Sequence, residues 1–294
     1  MISLLWQGTV TGLLYAIAAM GLVLIFKSSK MVNFAHGAIA GLSAFVVYVA
    51  TTGALGWPWL AGVLLALSVA VGVAGFAYLA IAPLLNEANT LKDTATTATI
   101  ATLGFGLMAE GVILWVFGSN IVSLDLPLPA WSTSIVGVRL TSYDIAVLLV
   151  TALVVAGLFV LIDRTRLGIA FRAVSSRPFA AAVCGLSVKR VHLFSWIASA
   201  ILGVVAALLV VPTTFLSSTT VATFMLQAFA AAVIGGFESL PGSVVGGILV
   251  GIASNLFTFY VAPEFINSFL LALILMSLSF FPGGILSRRV GARV

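Results

Sequence analysis

The stretch DRTRLGIAFRAVSSRPFAAAVCGLSVKRVH, residues 163–192, is the one long polar interruption in a chain that is otherwise mostly apolar. It holds six of the 13 Lys and Arg residues of the chain and a single acidic residue, Asp163. Because the apolar segments around it are long enough to span a membrane, we expect this loop to lie at a membrane surface. Basic loops are retained on the cytoplasmic side, which predicts that residues 163–192 lie inside the cell.

Inside this basic loop, a short helix is predicted about two turns long. Pro178 suits the first position of a helix, where its missing N–H has no cost, and Gly185 suits the position just past the end. Apolar residues recur at helical spacing and give the helix one apolar face. They are Phe179, Ala182, Val183 and Leu186. A helix of this kind either rests on the membrane surface or docks into a soluble partner.

The composition excludes a water-soluble globular protein. Hydrophobic residues make up 62% of the chain and charged residues 7%, and the mean hydropathy is +1.26, whereas about 25% of the residues of a soluble domain are charged. The net charge of +5 therefore reflects Lys and Arg retained on the cytoplasmic side, and does not indicate nucleic-acid binding. The single cysteine, Cys184, excludes an intrachain disulfide.

Nine apolar runs are candidates for membrane helices, each of which needs about 20 residues to span a bilayer. We therefore expect an all-α polytopic membrane protein with about eight or nine transmembrane helices, some of them broken, in a single domain over residues 1–294. The run that begins at Phe224 is short and is interpreted as a half-helix joined to the next apolar run. The runs are Leu4–Phe26, Phe34–Thr52, Trp57–Ala82, Thr97–Phe117, Asp144–Ile162, Leu193–Val211, Phe224–Gly235, Val244–Ala262 and Phe265–Phe281.

The positions of the basic residues predict the orientation. The loop 163–192, Lys27 and Lys30 after the first run, and the three arginines of the tail 288–293 all belong on the cytoplasmic side. The N-terminus is then outside and the C-terminus inside. The segment 119–143 is expected outside.

Two interruptions of the apolar pattern are candidates for a solute path, because broken membrane helices free backbone groups that can face a cavity. The first is Asn33–Ala38, for which an ordinary turn with Asn33 as a helix cap is an equally good interpretation. The second is Gly235–Ser243, and close helix packing better explains the glycines after it. The candidate path residues in the two interruptions are Asn33, His36, Gly37, Gly235, Gly236, Glu238 and Ser239.

Single polar residues inside the apolar runs have two interpretations each. Glu110 is either a path or proton-coupling residue, or a carboxyl group bonded to a neighbouring helix. Gln227 either lines the path or bonds to another helix. The threonines of residues 94–102 either line a path or bond to their own backbone.

Motifs for catalysis or cofactor binding are missing from the sequence. There is no G-x-x-x-x-G-K-[ST] phosphate loop and no H-E-x-x-H motif or cysteine pair for a metal. No serine has an obvious base nearby. We therefore expect a chain that is not an enzyme and that itself binds neither ATP, nor another cofactor, nor a metal.

Four groups of residues cover nearly the whole chain in a recognisable order. They are GLLYAIAAMGL at 12–22 with VNFAHG at 32–37, ATLG at 101–104, Gly168, Arg172 and Gly185 of the basic loop, and FAAAVIGG at 229–236 with SLPG at 239–242. In order and spacing they resemble the permease subunits of branched-chain amino-acid ATP-binding-cassette (ABC) importers, and specifically the smaller of the two paired permeases.

The resemblance implies the membrane subunit of a type II ABC importer, in the cytoplasmic (inner) membrane of a bacterium or archaeon. It implies three kinds of partner: a second homologous permease chain, most often a different one but in some systems an identical copy, two cytoplasmic ATPases that bind ATP, and an extracytoplasmic substrate-binding protein. The helix from Pro178 then matches the coupling helix of the family, which docks on the ATPase. The candidate coupling residues are Arg177, Pro178, Phe179, Ala181, Ala182, Gly185, Leu186 and Arg190.

The chain departs from the family pattern at two positions. Ala38 stands where an acidic residue is usual, and Glu238 stands where glycine is usual. The substrate therefore stays open among branched-chain amino acids, other amino acids, urea or short amides, and organic acids. The alternatives to an ABC importer are an ion- or proton-coupled transporter with Glu110 as the titrating group, and a passive channel for a small solute.

Overall fold

The computed structural model of the chain describes residues 1–52, 56–86, 91–118, 121–129, 131–135 and 138–286. The arginines of the tail 288–293, which contribute to the predicted orientation, lie outside these ranges. The helices are α1 (Ile2–Ser29), α2 (Ala35–Thr51), α3 (Trp59–Asn86), α4 (Leu91–Phe117), α5 (Ser142–Arg164), α6 (Arg166–Ser176), α7 (Pro178–Val183), α8 (Val188–Val210), α9 (Ser218–Gly235), α10 (Leu240–Tyr260) and α11 (Ile266–Phe280), and the strands are β1 (Ser132–Ile135) and β2 (Val138–Thr141).

Each of the nine apolar runs corresponds to a helix. In the described part of the chain, seven helices are long and apolar enough to cross a membrane, and the apolar parts of α2 and α9 are shorter. The prediction of an all-α polytopic membrane protein is confirmed.

The interpretation of the run from Phe224 as a half-helix is wrong. α9 begins six residues earlier, at Ser218, and is 18 residues long. The hydroxyl of Ser217 accepts a hydrogen bond from the amide of Thr220 at 3.1 Å, which caps the first turn. Serine and threonine at the start of α9 lower its hydropathy, so the apolar run covers only its second part.

The bundle has two ends. At the basic end lie α6, α7, the link between α1 and α2, and the turn between α9 and α10. At the hairpin end lie the antiparallel hairpin β1–β2 and an isolated bridge between Val122 and Leu216. The hairpin lies in the segment 119–143, which is expected outside the cell and for which no strand was predicted. Thr141 and Asp144 then start α5 with a reciprocal pair of hydrogen bonds, 3.2 and 2.9 Å long, known as a capping box.

α1 lies at the centre of the bundle and packs most extensively against α10. Glycines line both helices where they meet. A Cβ atom added at Gly251 would lie 2.3 Å from Gly12 Cα, and one added at Gly12 would lie 2.7 Å from Gly247 O. We call this contact, built by Gly8, Gly12, Gly247 and Gly251, the glycine seam. It confirms that the later glycines serve close helix packing.

Candidate translocation path and coupling surface

α7 is the short helix predicted inside the basic loop. Pro178 lies in its first turn, and Gly185 follows its end with a φ of +82°. Glycine adopts this left-handed conformation without steric cost, so the chain can reverse there. The amide of Leu186 donates to the carbonyl of Ala181 at 3.0 Å and closes the helix. The predicted start and end of this helix are confirmed.

The two faces of α7 differ sharply in exposure. Phe179 is 84% exposed and Val183 74% exposed, whereas Ala181 is only 5% exposed. Ala182 is exposed and Leu186 is half-buried. Three residues of the predicted apolar face, Phe179, Ala182 and Val183, therefore point away from the bundle, whereas the fourth, Leu186, packs against the core. Ala181 is covered by the bundle, so the expected contact with a partner does not fit its position. The other predicted coupling residues, Arg177, Pro178, Gly185 and Arg190, are exposed.

α6 anchors the basic loop to the bundle. Phe171 and Val174 on its inner face are fully buried. The hydroxyl of Thr165 accepts a hydrogen bond from the amide of Gly168 at 3.1 Å and starts the helix. A Cβ atom at Gly168 would lie 2.0 Å from Ile162 O, so the turn from α5 into α6 requires glycine here. Because α6 is fixed in this way, α7 is presented in a defined place.

The first interruption, Asn33–Ala38, is a closed turn into α2. Asn33 is buried, and its side-chain oxygen accepts a hydrogen bond from the amide of Ala35 at 3.0 Å. The hydroxyls of Thr99 and Thr102 of α4 accept hydrogen bonds from the amides of residues 32 and 34, at 3.3 and 3.1 Å. These amides are therefore paired within the protein. This agrees with the ordinary turn, but the cap residue of α2 is Phe34 and Asn33 precedes it.

His36 and Gly37 pack between helices. His36 is buried, and its Nδ1 atom lies 3.0 Å from the hydroxyl of Ser199 in α8. A Cβ atom at Gly21 of α1 would lie 2.6 Å from the His36 ring, so glycine makes room for the imidazole there. A Cβ atom at Gly37 would lie 2.8 Å from Met225 Cβ in α9. Both residues pack between helices in this structure, and neither lines the cavity described below.

The second interruption, Gly235–Ser243, is the turn between α9 and α10 at the basic end. Gly236 has a φ of +96°, and a Cβ atom at Gly235 would lie 2.1 Å from Gly242 O. The hydroxyl of Ser239 accepts a hydrogen bond from the amide of Gly242 at 3.0 Å and caps α10. This tight reversal between two complete helices explains the small residues without a bound solute.

The structure brings the two interruptions together at the basic end. Lys30 Nζ lies 2.6 Å from Glu238 Oε1, and both side chains are exposed. Beside this ion pair, four aromatic rings follow one another with neighbouring centroids 4.8–5.8 Å apart. We call these rings the aromatic cluster, and they are Phe26, Phe34, Phe229 and Phe237. The cluster fills the space between α1, the start of α2, and α9.

A cavity of about 520 Å³ opens at the hairpin end between α1, α9 and the segment that joins α8 to α9. We call it the outer cavity. Of the predicted path residues, Gln227 alone lines it. Its described lining contains no Asp, Glu, Lys, Arg or His, and combines apolar side chains with neutral polar ones. The polar ones are Thr11, Tyr15, Thr213, Thr214, Ser217, Thr220, Thr223 and Gln227.

The sequence reasoning missed the hydroxyl groups of the outer cavity. A signal was available, because Thr213-Thr214 and Ser217–Thr220 concentrate hydroxyls in one short link between two apolar runs. Serine and threonine near helix ends usually cap or bond to their own backbone, which hides a second role.

Glu110 lies apart from the outer cavity. It is half-buried on α4, and α4 contributes no residue to the described lining. Leu107 and Leu114, about one turn away on the same face, are exposed. The position of Glu110 therefore does not support a role in this cavity.

Comparisons with known proteins agree with this arrangement. Residues 4–278 match the family described as "Branched-chain amino acid transport system / permease component". The chain is 30% identical, over 87% of its length and 81% of the relative, to a probable branched-chain amino acid transport permease protein LivH of Methanocaldococcus jannaschii. It is 26% identical to the LivH permease protein of a high-affinity branched-chain amino acid transport system in Escherichia coli K12, over 97% and 94% of the two chains.

A third relative is the permease protein BraD of Pseudomonas aeruginosa, also of a high-affinity branched-chain amino acid transport system. It is 27% identical over 96% of this chain and 94% of its own. The family match covers nearly all of the nine apolar helices, together with the basic loop. The chain therefore belongs to the family of permease components of branched-chain amino acid transport systems.

Proposed function

We propose that this chain and a second permease chain together form the transmembrane path of an ABC importer, and that α7 is the surface on which a cytoplasmic ATPase docks. ATP is then bound and hydrolysed on the ATPase. An extracytoplasmic binding protein delivers the solute at the hairpin end. Membership of the family supports a transport subunit of the cell membrane that works with an ATPase and a substrate-binding protein.

The observation that carries the proposal is the outward apolar face of α7. Phe179 and Val183 are largely exposed on a helix that α6 holds in place. Large apolar side chains fixed at a surface mark an interaction site. Arg177 and Arg190 next to this face are exposed and available to pair with acidic groups of a partner.

The orientation of the chain in the membrane follows from the charges at the basic end. Lys30, Lys189 and the arginines of α6 lie at the basic end, and cytoplasmic segments are enriched in such residues. The N-terminus is then outside. The outer cavity faces the side from which a binding protein would deliver cargo.

For the cargo we propose a small neutral amino acid with an apolar side chain. The names of the relatives specify branched-chain amino acids. Apolar walls and a hydroxyl-rich rim without charged side chains suit a molecule that is zwitterionic at one end and apolar at the other. The departures from the family pattern, Ala38 and Glu238, do not line the outer cavity, so they give no reason to exclude this cargo.

Alternating access explains why the two ends differ. The outer cavity is open at the hairpin end, whereas the aromatic cluster and the Lys30–Glu238 pair occupy the basic end. In this arrangement solute enters from outside only. Rearrangement of the ATPases, transmitted through α7, would separate the aromatic rings and release the solute inside.

The test is uptake of radiolabelled leucine into proteoliposomes that contain the complex purified through a tag on this chain. We expect uptake only with ATP and the binding protein, and about a tenfold loss for Gln227→Leu, the size of one lost hydrogen bond of about 1.4 kcal/mol. Asn255→Leu is the control, since Asn255 bonds to Leu4 O and does not line the outer cavity. Uptake that persists without ATP would overturn the proposal.

A further inference from the structure

A second cavity, of about 310 Å³, lies at the basic end beneath the base of α7. Six elements meet there: the last turn of α1, the ends of α3 and α6, and the first turns of α4, α7 and α8. No Asp or Glu stands among its described lining residues, whereas Lys30, Lys189 and His192 do. We call it the inner cavity. Its cationic lining contrasts with the neutral lining of the outer cavity.

Several polar groups converge on the inner cavity. The hydroxyl of Ser175 is buried and has no hydrogen-bond partner among the described residues. The side chain of Ser187 does not cap α8, a helix of 23 residues. The first backbone amides of α8, near Val188 and Lys189, are therefore not bonded to a capping side chain. Helix N-termini bind phosphate and other anions through such amides.

The two lysines and the histidine of the inner cavity differ in their existing contacts. Lys30 already pairs with Glu238 at 2.6 Å, and the His192 ring lies 3.1 Å from Ser28 O. Lys189 has an exposed side chain, while its backbone carbonyl accepts a hydrogen bond from the Tyr78 hydroxyl at 3.0 Å. The backbone of Lys189 is thus fixed, while its ammonium group makes no ion pair within the described part of the chain.

We infer that the inner cavity binds a phosphate-bearing anion, and that its source is the headgroup of an anionic lipid. Basic pockets between membrane helices at the cytoplasmic side suit such headgroups. Ala82 and Leu85 form an apolar wall, and the exposed Leu79, one turn earlier on α3, continues it toward the bilayer. An acyl chain can therefore leave along α3 while the phosphate contacts Lys189 and Ser175.

A lipid in this place would link the bundle to the coupling surface. Pro178 at the start of α7 and Val188 at the start of α8 both line the inner cavity. A bound headgroup would bridge them to α1 and α3, and would stiffen the base on which α7 rests. The site is distinct from the outer cavity and from the exposed face of α7.

The experiment uses the purified full chain in an uncharged detergent and measures binding by native mass spectrometry. The probes are short-chain phosphatidylglycerol, short-chain phosphatidylcholine and inorganic phosphate. We expect phosphatidylglycerol to bind best and Lys189→Gln to weaken it about fivefold, the loss of one lysine near a headgroup. Lys189→Arg should keep the binding, because the charge is retained.

Arg166→Gln is the matched control, since it removes the same charge from an exposed position of α6 that does not line the inner cavity. Equal weakening by Lys189→Gln and Arg166→Gln would show attraction by the net charge alone and would overturn the site. Binding of inorganic phosphate without phosphatidylglycerol would overturn the lipid as the source.

Discussion

The glycine seam and α7 use small and large residues in opposite ways. In the seam, glycines on α1 and α10 face each other so closely that the two backbones touch. In α7, the small Ala181 faces the bundle while the large Phe179 and Val183 face outward. Close packing replaces the hydrophobic effect as the force between helices in a membrane. The seam is therefore complete within this chain, whereas the large apolar side chains of α7 are left exposed by the chain itself, as a docking surface requires.

The largest effect is expected for a substitution that separates the two helices of the glycine seam. Gly251→Leu places a side chain where even a Cβ atom would lie 2.3 Å from Gly12 Cα, so the helices must separate, at a cost of about 3 kcal/mol. We expect aggregated protein or a strongly lowered melting temperature in size-exclusion and thermal unfolding experiments. Gly72→Leu on α3 is the control, because nothing lies within 4 Å of its Cβ position. Equal stability of the two variants would show that the seam is not tightly packed.

The second effect is expected for a substitution that removes an exposed apolar side chain of α7 and leaves the fold intact. Phe179→Ala should weaken binding of the ATPase about thirtyfold, or about 2 kcal/mol, as for an aromatic residue at the centre of an interface. The melting temperature of the isolated chain should not change, because Phe179 is exposed. Ile169→Ala, an exposed apolar position on α6, is the control for binding measured by pull-down titration. Similar losses for both variants would contradict docking on α7.

The third prediction compares matched substitutions on the buried face and the exposed face of α7. Ala181→Val adds two methyl groups to a buried position and should lower the free energy of unfolding by about 1 kcal/mol. Ala182→Val adds the same groups to the exposed neighbour and should leave stability unchanged. Thermal unfolding of the two variants compares them directly. A larger loss for Ala182→Val would mean that the faces are assigned the wrong way round.

The smallest effect concerns the ion pair between α1 and the turn after α9. Glu238→Gln removes the partner of Lys30, but both side chains are exposed, so stability should fall by less than about 1 kcal/mol. Added salt should reduce the difference further, because it screens exposed charges. Asp163→Asn, which breaks the exposed pair with Arg172, is a control expected to behave alike. A stability loss of several kcal/mol for Glu238→Gln alone would assign this pair a structural role.

Much of the fold could be predicted because hydropathy reports directly on membrane helices. Pro178 and Gly185 marked the limits of α7 for a local reason, since each has a backbone preference that needs no tertiary contact. α6 was missed because it has only 11 residues, of which four carry a charge or a hydroxyl group, although Phe171 and Val174 on its inner face are buried. The hairpin β1–β2 was missed because each strand has only four residues.

The candidate path was harder to predict because a polar residue in a membrane helix has two uses. Asn33 and His36 are bonded inside the protein, and the sequence alone does not distinguish a helix contact from a cavity lining. Gln227 does line the outer cavity, beside threonines that come from α1 and from the link before α9. That neighbourhood arises from tertiary packing between distant parts of the chain, which no local pattern encodes.

The glycine seam also has a consequence for synthesis. A ribosome completes α1 long before α10, and the hydrogen bond between Asn255 and Leu4 O spans 251 positions of sequence. Until α10 is inserted, the glycine face of α1 must be covered by lipid or by the membrane insertion machinery. We therefore expect a chain that is interrupted before α10 to be recognised by quality-control proteases, even though every apolar helix before α10 has been made.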